Sequence, residues 1–438
     1  MISEEYLKRM QDMLKEEYPA YLASLEQPHQ RGFRYNLLKT DEEEIFNLTG
    51  FAKRPSPFAS NGFLLEDEKA VGAMWQHAAG LIYLQEPSAS AAVTVLDPRP
   101  GMKILDLCAA PGSKSTEIAE RMGNEGLLVC NEIDPKRCQI LRENIERYGC
   151  ANVMVLNEDP RNIARDFAGY FDMVLVDAPC SGEGMFRKHE KAVENWSLEN
   201  VLACARRQKH ILASAYACLK KGGRMVYSTC TFSREENEEN MVWFTTEYPD
   251  IKIQHVDAAF GRHGFDLGNN TAECLRIFPM EGGDGHFICL LKKEGEEEGT
   301  RLPLLESDAI PKEAGQFLKE HKVSYPYLYV HQDKVYGGTY PFITAGHCHL
   351  IRHQVLLGTM KNHRFEPSHA MYLSSFCTPG PSVEITEQQA DAYMHGMTIN
   401  EKAQKGECAV CVRGHCIGYA KSDGTILKNK YPKAQRLQ

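Results

Sequence analysis

Asp177-Ala178-Pro179-Cys180-Ser181-Gly182-Glu183-Gly184 and Ser228-Thr229-Cys230-Thr231 decide how the rest of the chain is read. Each follows a short apolar run, residues 173–176 and 225–227, with a turn signal ahead of it. Such runs predict buried parallel strands, which places each cysteine just past a strand's carboxyl end. In an open α/β sheet those ends share one edge, where ligands bind. Either cysteine alone reads equally well as an inert buried thiol. Two in equivalent positions, one behind a proline and one between threonines, point to a shared pocket.

The pattern continues on both sides. Strand 103–107 leads through Cys108-Ala109-Ala110-Pro111-Gly112-Ser113-Lys114 into helix 115–122. Strand 127–130 precedes helix 135–148, strand 152–156 follows, and helix 198–219 separates the two cysteine-bearing strands. A last strand is expected at 286–291. Strands alternating with helices predict a Rossmann-like, doubly wound, mostly parallel seven-stranded sheet.

The 438 residues exceed one ordinary domain. The expected division is 1–95, an N-terminal α/β extension with a stretch suited to phosphate or base contact; 96–293, the sheet domain; 294–300, an acidic linker; 301–369, an intermediate α+β domain; and 370–438, a β domain. Within the first, an amphipathic helix is expected over 3–27 and another over 70–84. The stretch 31–39, basic and aromatic, makes Arg34 and Asn36 candidates for RNA contact, with an ordinary strand as the equal alternative.

Hydrophobic residues make up 43% and charged residues 25%, as in soluble globular proteins. No eighteen-residue apolar run and no apolar leader appears, so neither membrane span nor signal peptide is expected. Fifteen cysteines, several inside apolar runs, read as reduced thiols of a cytoplasmic protein. The net charge of −9 hides an asymmetry: residues 301–438 hold 16 Lys and Arg against 12 Asp and Glu, a net of +4, which leaves −13 for residues 1–300. Polyanion contact is therefore expected at the C-terminal end, on Lys428, Lys430 and Lys433. Cys408, Cys411, His415 and Cys416 have nearly zinc-like spacing, but no second CxxC pair completes a site, and a β-hairpin accounts for them; no metal is expected.

The loop 108–114 lacks both G-x-G-x-x-G and the P-loop pattern. Its one glycine among alanines permits close backbone approach without a pyrophosphate cradle. Glu132 ends the next strand about twenty residues on, the spacing of a ribose-binding carboxylate. Asp159 ends the third strand and Asp177 the fourth. The ordered series Gly112, Glu132, Asp159, Asp177 suggests S-adenosylmethionine (SAM). With that donor the thiols acquire a purpose, since carbon 5 of cytosine is a poor nucleophile until a thiolate adds to carbon 6. The adduct must later lose the carbon 5 proton and expel the cysteine, which calls for a second group, and Asp177 is placed to hydrogen-bond the base.

The three motifs at 108–114, 177–182 and 228–231, with Arg34-Tyr35-Asn36, Gln85-Glu86-Pro87 and Gly283-Asp284-Gly285, resemble those of the Sun-type (Nol/Nop/Sun) RNA cytosine carbon-5 methyltransferases over residues 30–293. Gly418-Tyr419-Ala420-Lys421 and residues 427–433 resemble the PUA-like tail of the RsmF group of bacterial 16S ribosomal RNA methyltransferases. The resemblance implies Cys230 as nucleophile and Cys180 as the group assisting release. It also implies SAM contacts from Cys108, Ala109, Ala110, Pro111, Gly112, Ser113, Lys114, Glu132, Asp159 and Asp177. Ribosomal RNA or the small ribosomal subunit is the implied partner, with the protein a monomer. Met280 stands where relatives often have histidine. Competing expectations are the same chemistry on transfer RNA, a DNA cytosine methyltransferase using Cys180 as nucleophile, an amino-directed methyltransferase, and a non-catalytic RNA-binding assembly factor.

Overall fold

The computed structural model describes residues 2–65, 70–376 and 380–437; Met1 and Gln438, the outer bounds of the expected terminal domains, lie outside them. Its centre is a ten-stranded sheet. Five strands are parallel, in the spatial order Leu219–Thr229, Phe171–Asp177, Lys103–Asp106, Leu127–Asn131 and Val153–Leu156. All five have nearly uninterrupted buried cores, as strands covered on both faces require. Chain order reverses beside Lys103–Asp106, whose neighbours are the second and the fourth strand, and there a crevice opens at the carboxyl edge.

Local chemistry fixes the helices between them. Pro135–Tyr148 begins where Asp134 accepts the Arg137 amide at 2.8 Å with proline in the first turn, and ends at Gly149 with φ of 87°. Leu198–Cys218 is capped by Ser197, which accepts the Asn200 amide at 3.1 Å.

The sheet exceeds the expected seven strands because its edges recruit distant segments. His286–Lys293 runs antiparallel to the fifth strand and carries Ile251–Ile253 beside it, while Leu275–Ile277 and Arg262–His263 extend that edge. At the other edge Leu350–His353 pairs antiparallel with Val153–Leu156. That strand comes from beyond the acidic segment 294–300. The segment itself lies against the core, with the Thr300 amide on the Gly169 carbonyl at 3.0 Å. It is a boundary in composition and not a separation in space.

The expected helix 3–27 is two helices, Glu4–Leu14 and Tyr18–Leu25, with a 3-10 turn between them. Tyr6, Met10, Leu14 and Tyr21 pack on Phe186, Trp196, Phe232 and Phe278, which belong to the loops beyond the cysteines and to the sheet's far edge. The expected helix 70–84 shrinks to Trp75–Ala78. Gly80, with φ of 69° and its Cα so close to the Arg147 carbonyl that a Cβ would stand 2.0 Å from it, breaks the helix. The chain then forms strand Ile82–Gln85, which joins Arg31–Tyr35 and Gly62–Leu65 in a three-stranded sheet. That sheet shares one apolar core, including Phe33, Phe63 and Trp75, with Val410, Ile417 and Leu427 of the C-terminal five-stranded sheet. In the latter, Gly406–Val412 and His415–Ser422 form the expected hairpin. No helix among the described residues is long and apolar enough to cross a membrane.

Candidate active site

A cavity of about 890 Å³ opens at the carboxyl edge of the parallel strands. Each strand sends residues into it: Cys108 and Ala110 from the loop after the first, Glu132 and Ile133 after the second, Asp159 after the third, Asp177 and Cys180 after the fourth, and Cys230 after the fifth. The remaining residues of the 108–114 loop stand behind this wall and shape it. Gly112, at φ of 109°, turns the chain into helix Ser113–Arg121 through a conformation that strains any residue with a Cβ. Ser113 points away, its hydroxyl donating to Gln85. Lys114 reaches Asp177 at 2.7 Å.

The carboxylates differ in their surroundings. Glu132 is buried at the wall, accepts the Asp134 amide at 2.9 Å and lies 3.2 Å from Arg137. Asp159 caps the helix Pro160–Asp166, and its hydrogen bonds from Arg161 hold it below its ordinary pKa. Burial works to raise the pKa of Asp177, but the Lys114 ammonium and the Ser228 hydroxyl, 2.6 Å away, prevail and keep it below the ordinary carboxylate range. Asp106 escaped the sequence reading, although it ends the first strand. Burial pushes it up to about 7, and one of its oxygens has no hydrogen-bond partner.

At the other end of the cavity the Cys180 and Cys230 sulfurs lie 3.3 Å apart, close enough to share a hydrogen and too far for a disulfide. The hydrogen bond to Cys230, reinforced by burial, raises the Cys180 pKa well above that of an ordinary thiol. Lys114 is an electrostatic neighbour of Cys230. Arg207 and His210, exposed on helix Leu198–Cys218, line the cavity mouth. Their i, i+3 spacing on a long helix was the only signal in the sequence, and it is shared with any solvated face.

The expected RNA contacts divide. Arg34 is fully buried, with its guanidinium on Glu120 and Glu117 of helix Ser113–Arg121, on the Ser113 carbonyl at 2.9 Å and on Thr116 at 3.0 Å. Asn36 is buried too, donating to the Gly80 and Tyr148 carbonyls at 2.7 and 2.8 Å. Neither is a surface contact for RNA; both weld the N-terminal sheet to the central domain. Lys428, Lys430 and Lys433 are exposed.

The switch-point crevice, with carboxylates at successive strand ends, defines a Rossmann-like α/β ligand-binding core. Three family models match: the 16S rRNA methyltransferase RsmB/F model at residues 93–292, the RsmF N-terminal domain at 2–87 and the RsmF PUA domain at 381–437. Ribosomal RNA small subunit methyltransferase F of Shewanella oneidensis is 32% identical, covering 96% of this chain and 95% of that one; the Klebsiella pneumoniae protein of the same name is 31% identical, covering 94% and 91%. A solved methyltransferase homologue from Pyrococcus horikoshii is 29% identical with a TM-score of 0.57, covering 64% of this chain and 91% of that one. The chain belongs to the ribosomal RNA small subunit methyltransferase F family.

Proposed function

We propose that the protein transfers the methyl group of SAM to carbon 5 of cytosine in RNA, with 16S ribosomal RNA as the substrate. The observation that carries this reading is the 3.3 Å separation of two thiols on one wall of the cavity, next to a carboxylate. Ribosomal RNA as substrate is supported by the names of the relatives and by the exposed lysines of the C-terminal sheet.

The cavity suits SAM. Its volume is that of a cofactor site. Glu132 offers a carboxylate for a ribose diol, and Ile133, 60% exposed, turns an apolar face toward the cavity for a purine ring. The carboxylates of Glu132, Asp159 and Asp177 on the cavity wall favour a ligand that carries a sulfonium and an ammonium group. SAM supplies an electrophilic methyl group, and the rest falls to the chain. Cys230, as its thiolate, adds to carbon 6. Asp177, held in place by Lys114 and Ser228, hydrogen-bonds the base edge. After transfer solvent at the cavity mouth takes the carbon 5 proton, the C–H electron pair re-forms the ring double bond and the carbon–sulfur bond breaks, its electron pair returning to Cys230. The Cys180 thiol, 3.3 Å away, is placed to donate a hydrogen bond to that departing sulfur.

Cys230→Ala is expected to abolish methylation and form no covalent complex. Cys180→Ala is expected to methylate and then stall, leaving a protein–RNA adduct stable in denaturing gels. An adduct in Cys230→Ala alone would reverse the roles. Partial activity and a lowered Tm in both variants would make both thiols structural. Bisulfite sequencing of total RNA from a deletion strain identifies the substrate, and full retention of 16S methylation there would refute it.

A further inference from the structure

The thiols sit on two loops, yet their sulfurs are held at contact distance. After Asp177 the chain runs through Cys180 to a 3-10 turn at Glu183–Met185, and after Thr229 it runs through Cys230 to helix Glu238–Glu247. Two buried carboxylates cross between these loops in opposite directions. Glu183, on the Cys180 loop, accepts the Phe232 amide at 2.7 Å and the Ser233 hydroxyl at 2.6 Å. Glu236, on the Cys230 loop, accepts the Ser181 amide at 3.1 Å, the Ser181 hydroxyl, and Gln208 Nε2 at 2.8 Å. The Ser181 and Thr231 hydroxyls are 2.7 Å apart, so the residues just after the two cysteines are bonded side by side.

Burying carboxylates is costly even when they are well bonded, and apolar packing is often the more stable solution. Burial, with the Glu183 carboxylate adding to it, outweighs the hydrogen bonds from Ser181 and Gln208 and pushes Glu236 up to about 7. Two such groups stitching one pair of loops therefore indicate a demand for geometry. The two are not equivalent. Glu183 also accepts Trp196 Nε1 at 2.8 Å and so supports the aromatic cluster under the N-terminal helices. Among the described residues the Glu236 carboxylate bonds Ser181 and Gln208 alone, directly behind Cys180. Cys230 has holds of its own: its carbonyl accepts the Gly184 amide at 2.9 Å, and Asn237 grips Thr231 and Thr229 at 3.0 and 2.6 Å.

We infer that Glu236 is a positioning residue for the release step: through Ser181 it keeps Cys180 against Cys230, and its loss frees the release thiol while leaving the nucleophile in place. This rests on the two-thiol reading above and makes a distinct claim, that removing a group which touches neither base nor cofactor reproduces the stalled adduct of Cys180→Ala.

The test has two arms. Without RNA or SAM, diamide oxidises neighbouring thiols to a disulfide, and peptide mass spectrometry reads the Cys180–Cys230 bond. Glu236→Gln, which turns an acceptor into a donor, is expected to form that bond about tenfold more slowly than wild type, what losing one charge-assisted hydrogen bond gives. An equal or faster rate overturns the proposal whatever the substrate is. With SAM and RNA, Glu236→Gln is expected to bind SAM as wild type does, lose turnover and accumulate adduct; Glu236→Asp restores part of the turnover, and adding Cys230→Ala removes the adduct. Lost turnover without adduct would assign Glu236 to folding alone and overturn the proposal. Should the Cys180→Ala control give no adduct, the two-thiol reading fails, while the diamide arm still decides whether Glu236 sets the distance.

Discussion

The stretches 31–39 and 428–433 are both basic, each with a tyrosine, and the molecule uses them in opposite ways. Arg34 lies inside, on a strand whose neighbour is helix Ser113–Arg121, and that helix presents Glu117 and Glu120 at i, i+3 spacing. A guanidinium beside two buried carboxylates becomes an internal joint. In the C-terminal sheet, Ile426–Asn429 turns Leu427 inward and Lys428 outward, so its charge stays in water. What separates the two is the partner surface, acidic and distant in sequence for one and solvent for the other. Internal cations hold domains together, and exposed ones remain available to phosphate.

That contrast is tested most severely by deletion. Removing residues 301–438 takes Leu350–His353 from the central sheet and half of the core shared by the N-terminal and C-terminal sheets. A free-standing tail would leave SAM binding intact. Here a loss of cooperative unfolding, read by calorimetry, is the expected outcome, larger than that of any point change.

Next in size is Arg34→Ala. It leaves Glu120 buried without its cation, while Glu117 keeps Arg121 at 2.7 Å, and breaking a buried pair from one side costs about 3–5 kcal/mol. Urea unfolding measures it. A stability loss below about 1 kcal/mol, the ceiling for an exposed pair, would return Arg34 to the surface class.

The parallel half of the sheet was legible because its signals are local. Asp134, Pro135 and Gly149 mark both ends of one helix, and an apolar run followed by Asp177 or Ser228 marks a strand's end. The carboxylate series and both cysteines followed from those ends. Illegible were the elements whose partners are remote. Leu350–His353 becomes part of the central sheet only by meeting Val153–Leu156, about two hundred residues earlier in the chain. The inward turn of Arg34 depends on Glu120, and the crossing of Glu236 to Ser181 depends on two loops folding toward each other. Charge in a sequence carries no mark of which side of the surface it will occupy.

Histidines extend the same contrast to pH. Burial lowers the pKa of His77, His286 and His369 to about 3 and that of His353 to about 4, from an ordinary 6.5. Each is neutral when folded and free to take a proton when unfolded. Between those values the unfolded chain binds more protons, so stability is complete above pH 6.5 and falls as pH drops below it. Each histidine is expected to cost about 1 kcal/mol between pH 6.5 and 5.5. Asp106 and Glu236, raised to about 7, work in the opposite direction over the same interval, so urea unfolding at the two values is compared between wild type and His369→Gln, and an equal pH dependence in both would mean that this ring is protonated inside the fold.

The smallest effect on the fold, and the one that speaks most directly to the exposed side of the comparison, is expected from replacing Lys428, Lys430 and Lys433 together by alanine. All three side chains are exposed, and surface substitutions of this kind usually change stability by less than about 0.5 kcal/mol. RNA affinity responds differently. Each lysine on a phosphate releases a counterion, so the slope of log affinity against log salt is expected to shrink by about one per lysine, roughly two to three in all. The weakening is therefore greatest at low salt and fades as salt rises. Arg34→Ala, compared at a temperature where both variants remain folded, should leave that slope at its wild-type value, because its guanidinium never meets solvent. A slope unchanged in the lysine variant would move the RNA-binding surface elsewhere. A slope lowered by Arg34→Ala in a folded protein would mean that the N-terminal sheet opens to meet RNA, and the division between internal joint and external contact would fall.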